Sequence, residues 1–233
     1  MRDERPLGAV PGWIRAGLAA ATAAQIAWQS THHPDQASAA ELPPAPSAEA
    51  LSLAAFGERA LLARLVMLYL QPFDLRGLDY PRLTRWLAST LELDPRSEYP
   101  LFAAARVYAE VPDPARSRIA LEFVYRQFFA DPDRRWPWLA HAALIAKHRL
   151  GDLPLARRYA QAIDRHTRSR DAPLWARQME IFILEDMNEL EAAKIMLGGL
   201  LESGAIDDPA EARFLKGRLE ALEERLGRKK NVK

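Results

Sequence analysis

The chain has 233 residues, 49% hydrophobic and 27% charged, so it is long enough to bury a core and too apolar for a disordered chain. Its 32 basic and 31 acidic side chains nearly cancel, which removes bulk charge as a reason to bind a polyanion. It contains no cysteine, which excludes a disulfide framework, a thiolate metal site, a cysteine nucleophile and lipid attachment through cysteine.

Residues 1–9 are short and charged and are expected to lie in the cytoplasm. Residues 10–29 are the candidate transmembrane or signal-anchor helix. Only Ala16 to Trp28 is free of charge, a length nearer a signal-peptide core than a span. Counted from Val10, the stretch to Trp28 at ~1.5 Å per residue reaches roughly 28 Å, just enough to cross a bilayer. Trp13 and Trp28 sit where interfacial aromatics belong, and Arg15 can snorkel toward head groups. Arg2, Arg5 and Arg15 precede the apolar part, and the next cation is Arg59. That asymmetry predicts a single-pass inner-membrane protein with a cytoplasmic N-terminus and an extracytoplasmic remainder. Two other readings compete: a cleaved signal peptide, with Ala21-Thr22-Ala23 or Ala37-Ser38-Ala39 as the site, and a soluble alanine-rich helix. The last leaves the charge asymmetry unexplained.

Residues 30–46 read as a proline-rich linker, extended around Pro43-Pro44. His32, His33 and Asp35 lie in it, too few ligands in too loose a segment for a metal site. From Ser47 the pattern is helical. Pro81, Pro100, Pro114, Pro137, Pro154, Pro173 and Pro209 each open an apolar-periodic run, where the missing N–H costs nothing. Asp113 and Asp208 stand as N-caps, and Asp208 with Glu211 makes a capping-box pair. No segment alternates with period two, so no sheet is expected.

Self-comparison shows a period near 37 residues. Asp94-Pro95 recurs as Asp131-Pro132, and Tyr99-Pro100 as Trp136-Pro137. Leu83, Ala120, Ala156 and Ala193 mark the same place in four successive second helices. The turns before them read Gly77-Leu78-Asp79-Tyr80 in the first unit and Gly151-Asp152-Leu153 in the third. With these marks the chain resembles the tetratricopeptide-repeat superfamily over roughly residues 60–204. It departs from the family pattern in lacking the usual tryptophan of the first helix and the closing Asp-Pro of the fourth unit. The arrangement of anchor, linker and degenerate repeats also resembles envelope proteins of bacteria. The resemblance implies an all-α chain: an α-solenoid of about four degenerate hairpins over 47–227, closed by a capping helix, with a basic tail at 228–233.

Three features fit stacked hairpins. Leu139, Ala143, Ala146 and Leu150 form one stripe, whereas Trp175, Met179, Ile181, Phe182, Ile183, Leu184 and Met187 leave their helix apolar almost all round. A helix of the second kind must be sandwiched between neighbours. Gly198 and Gly199, costing about 1 kcal/mol each against alanine in a helix, are expected to permit close approach of another helix. Leu215, Leu219, Leu222 and Leu226 give the last helix one apolar face, as a cap needs.

The chemistry-bearing residues are few. His141 and His148 lie on one helical face, two turns or ~10 Å apart, too far to share a metal readily. The resemblance places first helices along a concave side, which makes His141, Lys147 and His148 candidate partner-binding residues. Glu185 and Asp186 point about 100° apart, so they form no acid/base pair and are expected to be solvated or to cap the turn at Asn188. Residues 134–170 carry Arg134, Arg135, Lys147, Arg149, Arg157, Arg158, Arg165, Arg168 and Arg170 against Asp152 and Asp164, beside Trp136 and Trp138. Arg157, Arg158 and Arg165 are therefore candidates for contact with an acidic partner or anionic lipid; solvation of an exposed helix face is the plainer reading, and inter-repeat packing is the plainer reading of the tryptophans. No phosphate loop, nucleophile elbow or zinc-protease helix is present. The expectation is a membrane-anchored scaffold for protein partners with no catalytic residues, no cofactor and no nucleic-acid partner. A lipid- or polyanion-binding module is the alternative, and an enzyme on a repeat scaffold a remote one.

Overall fold

The computed structural model describes residues 11–31, 42–71, 73, 75, 77–168, 172–204, 206 and 208–231. These residues are all-helical, with no strand among them. The chain divides into two compact units, residues 1–40 and 41–233.

In the first unit, α1 runs Gly12–Thr31. Its length matches the expected anchor, but no helix among the described residues is long and apolar enough to cross a membrane. The physical reason lies in the composition: alanine is the commonest residue of the stretch, and Gly17, Thr22 and Gln25 further dilute the few large apolar side chains. The structure therefore lends the transmembrane reading of residues 10–29 no support. Residues 1–9, with Arg2 and Arg5, and the histidine pair at 32–33 lie outside the described residues.

The second unit holds α2 (Ala48–Ala54), α3 (Arg59–Leu70), α4 (Tyr80–Leu93), α5 (Tyr99–Ala103, continued by a π-turn over Ala104–Tyr108), α6 (Pro114–Phe128), α7 (Pro132–His148), α8 (Leu153–His166), α9 (Leu174–Asp186), α10 (Leu190–Glu202) and α11 (Pro209–Asn231). Aspartates start α4, α6 and α8 for a common reason: a carboxylate satisfies N–H groups that the first turn leaves open. Asp79 accepts from Arg82 N, Asp113 from Ala115 N and Arg116 N, and Asp152 from Leu155 N. Asp208 does the same for α11 through Ala210 N, while Glu211 turns away from the expected capping box to accept from Gln178 Nε2.

Neighbours in sequence pack as neighbours in space: α3 on α4, the π-turn on α6, α6 on α7, α7 on α8, α8 on α9, α9 on α10 and α10 on α11. One apolar core runs from Leu42 to Ile183, and a second lies beneath α9, α10 and α11. Helix α9 feeds both, Met179 and Ile183 into the first, Ile181 and Leu184 into the second. Its all-round apolarity is thus the sandwiching expected of it. Leu215, Leu222 and Leu226 close the second core, with Leu219 half-buried beside them. The four register residues Leu83, Ala120, Ala156 and Ala193 are all buried, in α4, α6, α8 and α10.

Four local expectations fail. Pro137 does not open a helix; α7 starts at Pro132 and runs through it. Leu42 to Pro46 is not free linker: Leu42 is only 1% exposed, and Arg82 Nη1, Trp86 Nε1 and Ser89 Oγ of α4 donate to the carbonyls of Leu42, Pro43 and Pro46 at 3.1, 2.8 and 3.2 Å. An extended proline-rich strap has unpaired carbonyls, and α4 supplies their donors. Gly198 and Gly199 allow no close approach, since a Cβ on either would meet nothing within 4 Å. The basic tail expected from residue 228 does not begin there, since α11 runs on to Asn231.

Candidate functional site

Helices α5, α7 and α9 carry exposed aromatic and aliphatic groups. Tyr99 and Phe102 of α5 stack 5.9 Å apart, and Phe102 meets the edge of Trp138 of α7 at 5.6 Å. Val107 on the π-turn, Leu144 of α7 and Trp175 of α9 are exposed as well. Trp136 and Trp175 touch edge to face at 5.8 Å, so both tryptophans of α7 join neighbouring helices, as expected of seam residues.

The structure splits the candidate trio of α7. His141 is largely buried, its Nε2 3.5 Å from Glu110 Oε1. Burial chiefly, and Arg106 secondarily, lower its pKa from the ordinary 6.5, with Glu110 opposing them. Lys147 is tied to Asp186 of α9, and His148 is exposed. They do not converge on one groove.

The arginine surplus is also largely spent inside the fold. Arg157 Nε donates to Glu180 Oε1 at 3.1 Å, and Glu180, 3% exposed, receives Gln161 Nε2 at 3.2 Å on the same oxygen. Arg135 is buried and donates to the carbonyls of Gln127 and Pro95. Arg134 Nη2 reaches the Arg96 carbonyl at 2.8 Å. Arg158 pairs with Glu122 of α6. Arg165 remains exposed, in no ion pair among the described residues, and Arg170 lies outside them. The expected cationic patch of Arg157, Arg158 and Arg165 is therefore not one surface. Glu185, expected to be solvated, is buried and holds Arg218 at 2.9 Å and Arg225 at 3.7 Å, which ties α9 to α11. Burial turns these carboxylates into struts between helices.

What sequence reasoning missed is a groove across the even-numbered helices. It holds about 590 Å³ and is lined by Thr84, Arg85 and Ala88 of α4, by Arg118, Ile119, Glu122, Phe123, Arg126 and Gln127 of α6, and by Leu155, Arg158 and Tyr159 of α8. Glu122 serves both Arg126 Nε, at 3.1 Å, and Arg158. Arg118 pairs with Asp152 at the rim, whose carboxyl the guanidinium holds below its usual range. Arg158 lies over the Tyr125 ring at 4.4 Å and the Tyr159 ring at 5.3 Å. Tyr159 is fully buried, its hydroxyl oxygen lies beside the Arg158 guanidinium while its proton has no acceptor, and burial raises its pKa to about 12. A signal was present: Arg85, Glu122 and Arg158 each stand two residues after the register marks Leu83, Ala120 and Ala156.

Among the described residues no group of three or more metal-ligating side chains is assembled. Comparison with protein-family models, curated proteins and solved structures finds no match to this chain.

Proposed function

We propose that the chain is a tetratricopeptide-like array of four degenerate helical hairpins that acts as a scaffold for a protein partner. The 37-residue register supports the repeat reading: its four marks are all buried, as the fourth residue of α4, α8 and α10 and the seventh of α6, and aspartate caps recur at α4, α6 and α8. The observation that carries the function is the aromatic cluster of Tyr99, Phe102 and Trp138. Its outer members stay exposed beside Val107, although aromatic rings of this size lower the free energy most when covered. Rigid aromatics on a packed helix pair are the usual anchors of protein interfaces.

The location that fits is the extracytoplasmic side of the inner membrane, with residues 10–29 as a targeting segment. Arg2, Arg5 and Arg15, all before the charge-free run from Ala16 to Trp28, and no lysine or arginine from there to Arg59, support this placement. A reporter fused after residue 48 should be active only outside the cytoplasm.

The scaffold role is tested by replacing Tyr99 and Phe102 with serine and comparing co-purified proteins. A partner present with the wild-type chain and lost with the variant, at unchanged helicity, is the expected outcome. A set of co-purifying proteins identical for both removes this face as the binding surface.

A further inference from the structure

We infer that the groove across α4, α6 and α8 is a second binding site, and that its occupant is an extended acidic protein segment with apolar side chains between its carboxylates. This rests on the scaffold reading only for the class of ligand; the site itself stands on its own geometry.

The lining sorts into a floor and a rim. Ala88, Ile119, Phe123, Leu155 and the ring of Tyr159 make the floor apolar, which favours aliphatic or aromatic side chains. Four guanidiniums, those of Arg85, Arg118, Arg126 and Arg158, stand around it. Two carboxylates, Glu122 and Asp152, face them, so four positive charges less two negative leave an excess of two. Glu122 alone is divided between two arginines. Arg126 keeps 74% of its side chain in water, and Arg85 is exposed and in no ion pair among the described residues. Both are available for bidentate contact with carboxylates.

The second observation is the Tyr159 hydroxyl. Arg158 can only donate to the phenol oxygen, so the buried O–H is left without an acceptor, which is costly, and with its pKa raised to about 12 it stays a neutral donor. The missing group is an acceptor. A ligand carboxylate that draws Arg158 aside supplies one.

The spread of the cations decides between a compact anion and a chain. They come from three helices, and helix axes in contact lie roughly 8–10 Å apart, so the rim extends over roughly 20 Å. One phosphate or carboxylate cannot reach all of it, whereas about six extended residues do, with side chains alternating between rim and floor. The same alternation matches carboxylates to arginines and apolar groups to the floor.

The test uses the full chain and a fluorescent peptide of alternating glutamate and phenylalanine. Fluorescence anisotropy should show binding that weakens as salt is raised. A lysine–phenylalanine peptide should not bind. The pair Arg85→Glu and Arg126→Glu, both on exposed side chains, should weaken the acidic peptide about tenfold or more. Tyr159→Phe should weaken it about threefold with the thermal midpoint held or raised, because the buried hydroxyl is removed together with its ligand contact. Equal binding of both peptides, or no effect of the double charge reversal, overturns the proposal. So does arginine-dependent binding of phosphatidylglycerol vesicles that the peptide neither matches nor competes. Loss of partner capture on replacing Tyr99 and Phe102, with capture and peptide binding both indifferent to Arg85 and Arg126, would sink this site and leave the scaffold reading standing.

Discussion

Gly198 and Gly199 sit in the middle of α10 with nothing near their missing Cβ atoms. Neither a turn nor a neighbouring backbone requires them there, so the loss of helix propensity is uncompensated. Changing either to alanine is expected to stabilise the chain by about 1 kcal/mol, read from urea unfolding at constant slope. An unchanged midpoint would mean that the helix is frayed at that point in the native state. His141 provides the pH dependence. Its pKa is lowered on folding, so the unfolded chain binds more protons once pH drops below the ordinary 6.5. Stability should be level above that value and fall as pH decreases toward the lowered folded value. In His141→Gln this part of the slope should vanish, as measured by thermal midpoints between about pH 7.5 and 5. At this scale the sequence shows which residues are polar but not what faces them. Glu180 and Glu185 look like solvated carboxylates in an apolar helix, and only packing reveals Arg157 and Arg218 against them.

At the scale of elements, α9 joins the two cores and sends struts to three neighbours, Glu180 to α8, Glu185 to α11 and Asp186 to α7. Glu185→Ala leaves Arg218 and Arg225 without their shared carboxylate. The expected loss is about 2 kcal/mol, below the roughly 3–5 of fully buried pairs because both arginines keep part of their surface in water. Removal of that strut should also raise hydrogen exchange in α11 more than in α4. The strap of Leu42 to Pro46 makes a separate prediction. Trp86→Phe keeps an aromatic ring but loses the donor to Pro43, with an expected loss of about 1 kcal/mol and earlier proteolysis near residue 43. The helices themselves were legible because periodicity, proline starts and aspartate caps agree. The strap was not, because proline-rich composition describes a backbone without internal bonds and is silent on an external donor. Pro137 misled for a related reason: proline is favoured at a helix start, yet a helix already anchored by Pro132 can absorb one lost bond.

For the molecule as a whole, the 37-residue period carried most of what could be read in advance, including the four buried register marks. It also held the groove, since Arg85, Glu122 and Arg158 share one column of that period, but a column becomes a surface only when three helices lie side by side. The exposed aromatics of α5 escaped notice for the opposite reason: Tyr99 and Phe102 look like core residues until their exposure is known. Protein binding at this face can be read by photocross-linking in cells with a benzoyl-phenylalanine placed at Phe102, and at exposed Lys216 as the control. A discrete adduct of added protein mass is expected from position 102 and not from position 216. No adduct at position 102, or the same adducts from both positions, would contradict binding at this face.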